Sequence, residues 1–451
     1  MLLTVQEEAQ LSFDFPNLTD EEKRIFDGEQ GIVKQKCMQY LVEMCQIAGA
    51  TRLVDLDGTG DMHTPGLNLS QYYNISFDEL SDFANNGGRF AIPTFADKSP
   101  FVADGAQAPI HGWEGCNLCA QPGTSRLQSD PDYHDHALQT ETFEVLRQMG
   151  LITTFSCANY LTMSYLPSVG QHCSWFESSQ MPYCNATLGA RTNFDGTLAT
   201  CLLGKAPYYD MHITENRYGT ILLEADRKIQ SDLEWDVYGF TVGEAVDIEV
   251  PIILSTSRPT TTQYQKFNSA LSTGGAVRMY HLPGITPEAP TIEFAAGGRQ
   301  IKQHIKIDNA ALRKNYDILN FHKSDDVDMV YLGCPHLNIV DLMRLSVKLD
   351  GKKCKIPLWI MTAPWLYAQA ESLGYNEIFK KAGVKLMSGA CLAAMGCVPE
   401  GVRNIAVDTA KQAYYITGCY PDDDNQLQVC YGSTDDCIDA ALTGIWRGEW
   451  R

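Results

Sequence analysis

Thirty-eight residues, from Ser156 to Asn193, hold an unusual density of chemically useful side chains. Ser156-Cys157-Ala158-Asn159-Tyr160 opens the stretch, and His172, Cys173, Trp175 and Glu177-Ser178-Ser179 follow. Leu188-Gly189-Ala190-Arg191-Thr192-Asn193 closes it. A thiol, a carboxylate, hydroxyls, a guanidinium and amides interleaved with Gly, Pro and aromatics make a poor core strand and a poor solvated helix. They describe loops that line a polar pocket.

Three of the fifteen cysteines share a setting. Cys157, Cys334 and Cys391 each stand at a turn after a hydrophobic run. Three thiolates converging from separate strand ends suit an iron–sulfur cluster, with one iron left open to act as a Lewis acid. Their wide spacing forms no ferredoxin-like motif, so three buried cysteines at element ends is an equally open reading. Cys116 and Cys119, with His134 or His136, form a rival ligand set for a zinc-dependent hydrolase.

The elements that position these residues follow from the length and the hydrophobic pattern. A chain of 451 residues with 44% hydrophobic and 20% charged residues is a soluble globular protein of two or three packed lobes. Its net charge of −20 argues against a nucleic-acid partner, because phosphate binding needs a basic patch. No apolar run reaches membrane-spanning length, and Met1 to Gln10 lacks a signal pattern, so a cytoplasmic location with reduced cysteines is expected.

Residues 1–17 read as an arm. Thr19 and Glu22 form a capping box that opens a helix, which breaks at Gly28 and resumes through Cys37 and Cys45. Strands are expected at Arg52–Leu56, Arg89–Thr94, Leu151–Phe155, Val246–Leu254, Val277–His281, Val327–Leu332, Pro357–Thr362 and Val384–Met387, with helices between several of them. This rhythm predicts an α/β fold with parallel or mixed sheets, and ligands of such sheets bind at strand carboxyl ends. Asp57-Gly58-Thr59-Gly60 follows the first strand but lacks a P-loop lysine, so no nucleotide site is expected. Residues 95–133 read as a long insertion.

The motifs quoted above, together with Gly87-Gly88-Arg89-Phe90-Ala91-Ile92-Pro93-Thr94, Glu215-Asn216-Arg217, Gly284-Ile285-Thr286-Pro287-Glu288-Ala289 and Leu332-Gly333-Cys334-Pro335-His336, resemble the successive signatures of the aconitase X family. The likeness is to its large catalytic subunit and runs, with gaps, from about Leu18 to the C-terminus. It implies an aconitase-like, multi-lobed α/β/α fold spanning 18–451, and dehydration of a small hydroxy acid at an iron–sulfur cluster or iron centre held by Cys157, Cys334 and Cys391. Glu177, Ser178, Ser179 and Lys411 are then the catalytic candidates. His63, Asn159, Arg191, Thr192 and Asn193 line the substrate pocket, with Arg191 holding a carboxylate bidentately. The family's proton-transfer serine lies on a small subunit or swivelling domain, so a small subunit on a separate chain is the expected partner. A non-catalytic iron–sulfur scaffold is the alternative.

The sequence departs from the family at Asp61–Gly66, where only His63 and Gly66 are kept, and at Gly389-Ala390 before Cys391. Both departures bear on which acid is dehydrated. Of the two activities best known in the family, dehydration of cis-3-hydroxy-L-proline is expected ahead of that of phosphomevalonate. The central stretch offers one carboxylate and one guanidinium for a zwitterion, and lacks a cation-rich phosphate nest.

Overall fold

The computed structural model describes residues 15–62, 69–96, 136–161, 166–255, 257–389, 392, 399, 401–416 and 427–450. His63, Cys391, Cys116, Cys119 and His134, most of the 95–133 insertion and most of the 1–17 arm lie outside these residues. The side chain of His136 does too.

The first lobe begins with the helix Asp20–Phe26, whose Thr19–Glu22 capping box forms as the sequence predicts. The helix Ile32–Ala48 follows, with Cys37 and Cys45 fully buried on its core face. Strand β1 spans Leu53–Asp55. The parallel strands β2 (Gly60–Met62), β3 (Thr94–Ala96) and β4 (Ser174–Trp175) make a small sheet of order β3-β2-β4, and β5 (Lys205–Pro207) closes onto β1. The strand expected at Leu151–Phe155 reduces to a single bridge from Ile152 to Phe95. Phe155 adopts a φ of 45°, which a strand cannot carry, and turns the chain toward Cys157.

The second lobe holds β6 (Ile221–Ala225), β7 (Pro251–Leu254) and β8 (Gln303–Ile307), all parallel in the order β7-β6-β8. The stretch expected as a strand at Val246–Leu254 is divided between a helix end and β7. Val277–His281 contributes one bridge, from His281 to Ile252. Two long helices, Asp232–Val246 and Thr261–Gly275, pack through glycines. A Cβ added at Gly243 would lie 2.5 Å from the Leu271 carbonyl oxygen, and one at Gly275 would lie 2.0 Å from that of Gly243. Backbone cannot yield there as a flexible side chain would, so Gly243→Ala is expected to destabilise the protein by about 1–3 kcal/mol despite alanine's better helix propensity. A lowered midpoint in urea unfolding checks this; an unchanged or higher one refutes it.

The third lobe is one parallel sheet of β9 (Met329–Leu337), β10 (Leu358–Thr362), β11 (Val384–Ser388), β12 (Asn404–Val407) and β13 (Gln428–Tyr431), ordered β11-β10-β9-β12-β13. Side-chain alternation feeds two cores. Met329, Tyr331, Met361, Ile405 and Val407 face the helices of the second lobe. Val330, Leu332, Ile360 and Ala406 face the helices Ile339–Leu349, Tyr375–Ala382 and Thr434–Thr443 on the other side. The result is an α/β/α sandwich whose chain order reverses between β9 and β12. Such a reversal opens a crevice at the strand carboxyl ends.

Candidate active site

β9 delivers its cysteine by breaking register. Leu332 pairs with Ile360 and Leu337 with Thr362, so four residues of β9, Gly333 to His336, stand opposite Met361 alone. Gly333 makes the bulge possible: its φ is 121°, and a Cβ there would lie 2.4 Å from the Met361 carbonyl oxygen. Cys334 is thereby carried out of the ladder, with its carbonyl accepting a hydrogen bond from Thr409 Oγ1 at 2.6 Å. The next turn of the loop reaches the first lobe. The His336 amide donates to Cys157 Sγ at 3.4 Å, and His336 Nδ1 lies 3.2 Å from Ser156 Oγ. Both thiols are buried, Cys157 at 4% exposure and Cys334 at 3%.

Lys411 joins them from the helix Ala410–Ile416, directly after β12. The Asp236 carboxylate accepts from the Ala410 amide and fixes where that helix starts. Lys411 Nζ donates to Ser178 Oγ at 3.2 Å and lies 3.7 Å from Glu177 Oε2, just past the carboxyl end of β4. Burial disfavours the charge on Lys411, but the Glu177 carboxylate, and after it Cys334 and Cys157, outweigh burial and hold the ammonium above the ordinary lysine range. Ser179 Oγ donates to the Cys157 carbonyl at 3.2 Å. Five of the residues singled out in the sequence, Cys157, Glu177, Ser178, Cys334 and Lys411, thus meet where the first and third lobes touch. Asp61, which the sequence reading left without a role, is fully buried nearby. It accepts from Asn159 Nδ2 and, at 2.9 Å, from Gln180 Nε2.

Arg191, Thr192 and Asn193 have different surroundings. Thr192 Oγ1 accepts from the Trp175 amide at 2.8 Å, and Asn193 clasps the 209–211 turn through the Tyr209 carbonyl and the Met211 amide. Both side chains therefore serve the backbone. Arg191 is half-buried, donates to the His212 carbonyl at 2.9 Å, and forms no ion pair among the described residues. The groups that act on it most are Arg217, Glu288, Tyr208 and Glu215, and none of them is among the main groups acting on Lys411. Beside it runs a chain of rings: Asp195 Oδ2 lies 3.1 Å from His212 Nε2, and the Nδ1 atoms of His212 and His172 are 2.9 Å apart. Burial, then His212 and Arg191, push His172 down to about 4, so it stays neutral. Arg217 is a bolt between lobes: fully buried, it pairs with Glu288 and donates to the Asn185 and Ala190 carbonyls at 2.9 Å. That pairing accounts for two of the sequence motifs.

Among the described residues no group of three or more His, Cys, Asp or Glu side chains is arranged to hold a metal ion, Cys391 being outside them. A cavity of about 310 Å³ opens between the second and third lobes, lined by Thr262, Lys266, Leu337, Asp341 and Asp408 among others. None of Cys157, Cys334, Glu177 or Lys411 lines it. No helix among the described residues is long and apolar enough to cross a membrane.

Comparison with known proteins agrees with this division into lobes. Models of the aconitase X first, second and third domains match residues 16–215, 219–317 and 327–443, and their seams fall between the lobes. The phosphomevalonate dehydratase large subunit of Methanocaldococcus jannaschii is 27% identical over 409 residues, 88% of this chain and 94% of that one. The cis-3-hydroxy-L-proline dehydratase of Hypocrea jecorina is 28% identical over 443 residues, 95% of this chain and 69% of that one. The crystal structure of Thermococcus kodakaraensis aconitase X in its holo-form superimposes with a TM-score of 0.72 at 27% identity, covering 95% of this chain and 99% of that one.

Proposed function

Because the chain belongs to the aconitase X family, we propose that it is a hydro-lyase that removes water from a small hydroxy acid, cis-3-hydroxy-L-proline or a close relative. The observation that carries this is the gathering of a lysine ammonium, a carboxylate and a hydroxyl around two buried thiols at strand ends. The donor set fits an iron–sulfur cluster or iron centre: Cys157 and Cys334 would hold it, with Cys391 as the third ligand. When bound, it supplies a Lewis acid for the hydroxyl that leaves.

The side chains do the rest. Lys411, kept protonated, offsets the negative charge that grows on the carboxylate as the α-proton departs. Glu177 holds Lys411 in place, and Ser178 bonded to Lys411 orients the hydroxyl. Asn159, tied to Asp61, keeps the cysteine turn in position. His63 remains a candidate for the pocket.

Arg191 has guanidinium nitrogens beyond the one bonded to His212, and a planar fork suits a carboxylate where an ammonium does not. Arg191→Lys is expected to lower kcat/KM by about 10–100-fold with the iron absorbance intact. Near-normal activity removes Arg191 from the mechanism.

The archaeal relatives are named large subunits, and a small chain of the aconitase X type is the inferred partner that brings the proton-transfer serine. Relatives with both substrate names occur at similar identity, so the choice rests on charge. Lys205 is bound to Glu22 at 3.0 Å and to Asp55, and Arg217 to Glu288, which leaves neither for a phosphate. The test is to co-express the chain anaerobically with its small partner and assay both acids. Turnover of cis-3-hydroxy-L-proline is expected; turnover of phosphomevalonate alone overturns the substrate. An iron-loaded complex that dehydrates no hydroxy acid makes the chain a scaffold.

A further inference from the structure

The helix Thr261–Gly275 touches the candidate site twice. Gln265 Nε2 donates to the His336 carbonyl, two residues past Cys334, and Ser272 Oγ donates to the Ser178 carbonyl at 2.8 Å. Asn268 stands between them, one turn from each. It is completely buried, yet neither Oδ1 nor Nδ2 has a hydrogen-bond partner among the described residues. The same holds for the hydroxyl of Tyr160, three residues beyond Cys157 and 5% exposed. Tyr280 links the two: it bears on Tyr160, and the Asn268 amide bears on its hydroxyl, though without the geometry of a hydrogen bond.

Buried polar atoms are almost always paired, because an unpaired one forfeits its hydration without return. Here an amide and a phenol have no partner among the described residues, and Cys157 is among the groups acting on Tyr160. That is the condition of a wall that completes its hydrogen bonds with a ligand. Its character is neutral. Burial raises Tyr160 and Tyr280 far above the usual phenol range, so both keep their protons. No lysine or arginine is among the main groups that act on either.

We propose that Asn268 and Tyr160 are specificity residues which hydrogen-bond an N–H-bearing part of the hydroxy acid, such as the ring amine of a hydroxyproline. The assignment rests on the function proposed above. Asn268 Oδ1 and Tyr160 Oη can both accept from a ring ammonium, which has two N–H donors. A phosphate dianion in the same place would lose its hydration and meet no cation.

The test uses the iron-loaded complex of both chains. Asn268→Leu keeps the shape and removes both hydrogen-bonding atoms. KM for cis-3-hydroxy-L-proline, and the dissociation constant of L-proline as a non-reacting probe, are expected to rise at least about tenfold. The iron absorbance should stay unchanged and the Tm should hold or rise, since an unpaired buried amide has been removed. Asn268→Asp, with an acceptor charge of the same shape, is expected to bring L-proline affinity back to wild-type or better. Unchanged KM in Asn268→Leu, a fall in Tm with it, or failure of Asn268→Asp to recover L-proline binding overturns the proposal. Wild-type complex that turns over no hydroxy acid sinks the functional reading instead; a lowered Tm in Asn268→Leu would then still mark the amide as structural and overturn its assignment.

Discussion

Cys334→Ser is expected to empty the protein of iron and to lower turnover by about 10³-fold or more, while the chain stays folded. Serine matches the cysteine in shape, but a neutral hydroxyl is a poor ligand for an iron that prefers thiolate. Losing a Lewis acid that carries several kcal/mol of transition-state stabilisation corresponds to a rate loss of that order. Cys334 is 3% exposed and its carbonyl is already held by Thr409, so backbone geometry survives the exchange. Cys37→Ser is the control. Burial pushes the Cys37 thiol up to about 12, so it stays a protonated core residue. Its serine variant should lose stability, by about 1–3 kcal/mol for a buried hydroxyl, and no iron. Iron and sulfide analysis, the visible spectrum and Tm of the two variants decide the matter. Full iron content in Cys334→Ser would return Cys334 to the core.

The sequence disclosed the third lobe better than the first, for a physical reason. In the α/β/α sandwich the strands are buried on both faces and read as continuous apolar runs, so β9, β10 and β11 stand out along with the cysteine that follows Leu332. The first lobe's strands are two or three residues long and take their place from neighbours. At Leu151–Phe155 a favourable pattern yields to the left-handed turn of Phe155.

The site divides in the same way. Glu177, Ser178 and Lys411 are chemically conspicuous in sequence, and the fold brings them to the cysteines. Thr192, Asn193 and Arg217 are equally conspicuous, but spend their hydrogen bonds on backbone and on Glu288. Hydrogen-bonding type alone does not separate a ligand's partner from a turn's. Asn268 escaped notice because one amide inside a helix carries no periodic signal; only burial without a partner among the described residues marks it.

Lys411→Met is expected to cost about 10²–10³-fold in kcat while the iron content stays at wild-type level. Methionine fills a similar volume, so what disappears is the charge. In a buried site a fixed cation aimed at developing negative charge contributes about 3–4 kcal/mol, which sets that magnitude. The loss should appear in kcat more than in KM, because the carboxylate charge grows as the proton leaves and is felt most in the transition state. A second consequence falls on Glu177. Its carboxylate is 7% exposed and would lose the Lys411 ammonium 3.7 Å away, which is expected to cost about 3–5 kcal/mol unless the group takes up a proton. The double variant Lys411→Met with Glu177→Gln should therefore recover most of the lost Tm and none of the lost rate. That pattern, stability restored without activity, separates a charge acting on the reaction from one that merely steadies the junction of the lobes. If the double variant recovers turnover together with Tm, Lys411 is a structural partner of Glu177 and the carboxylate is handled elsewhere.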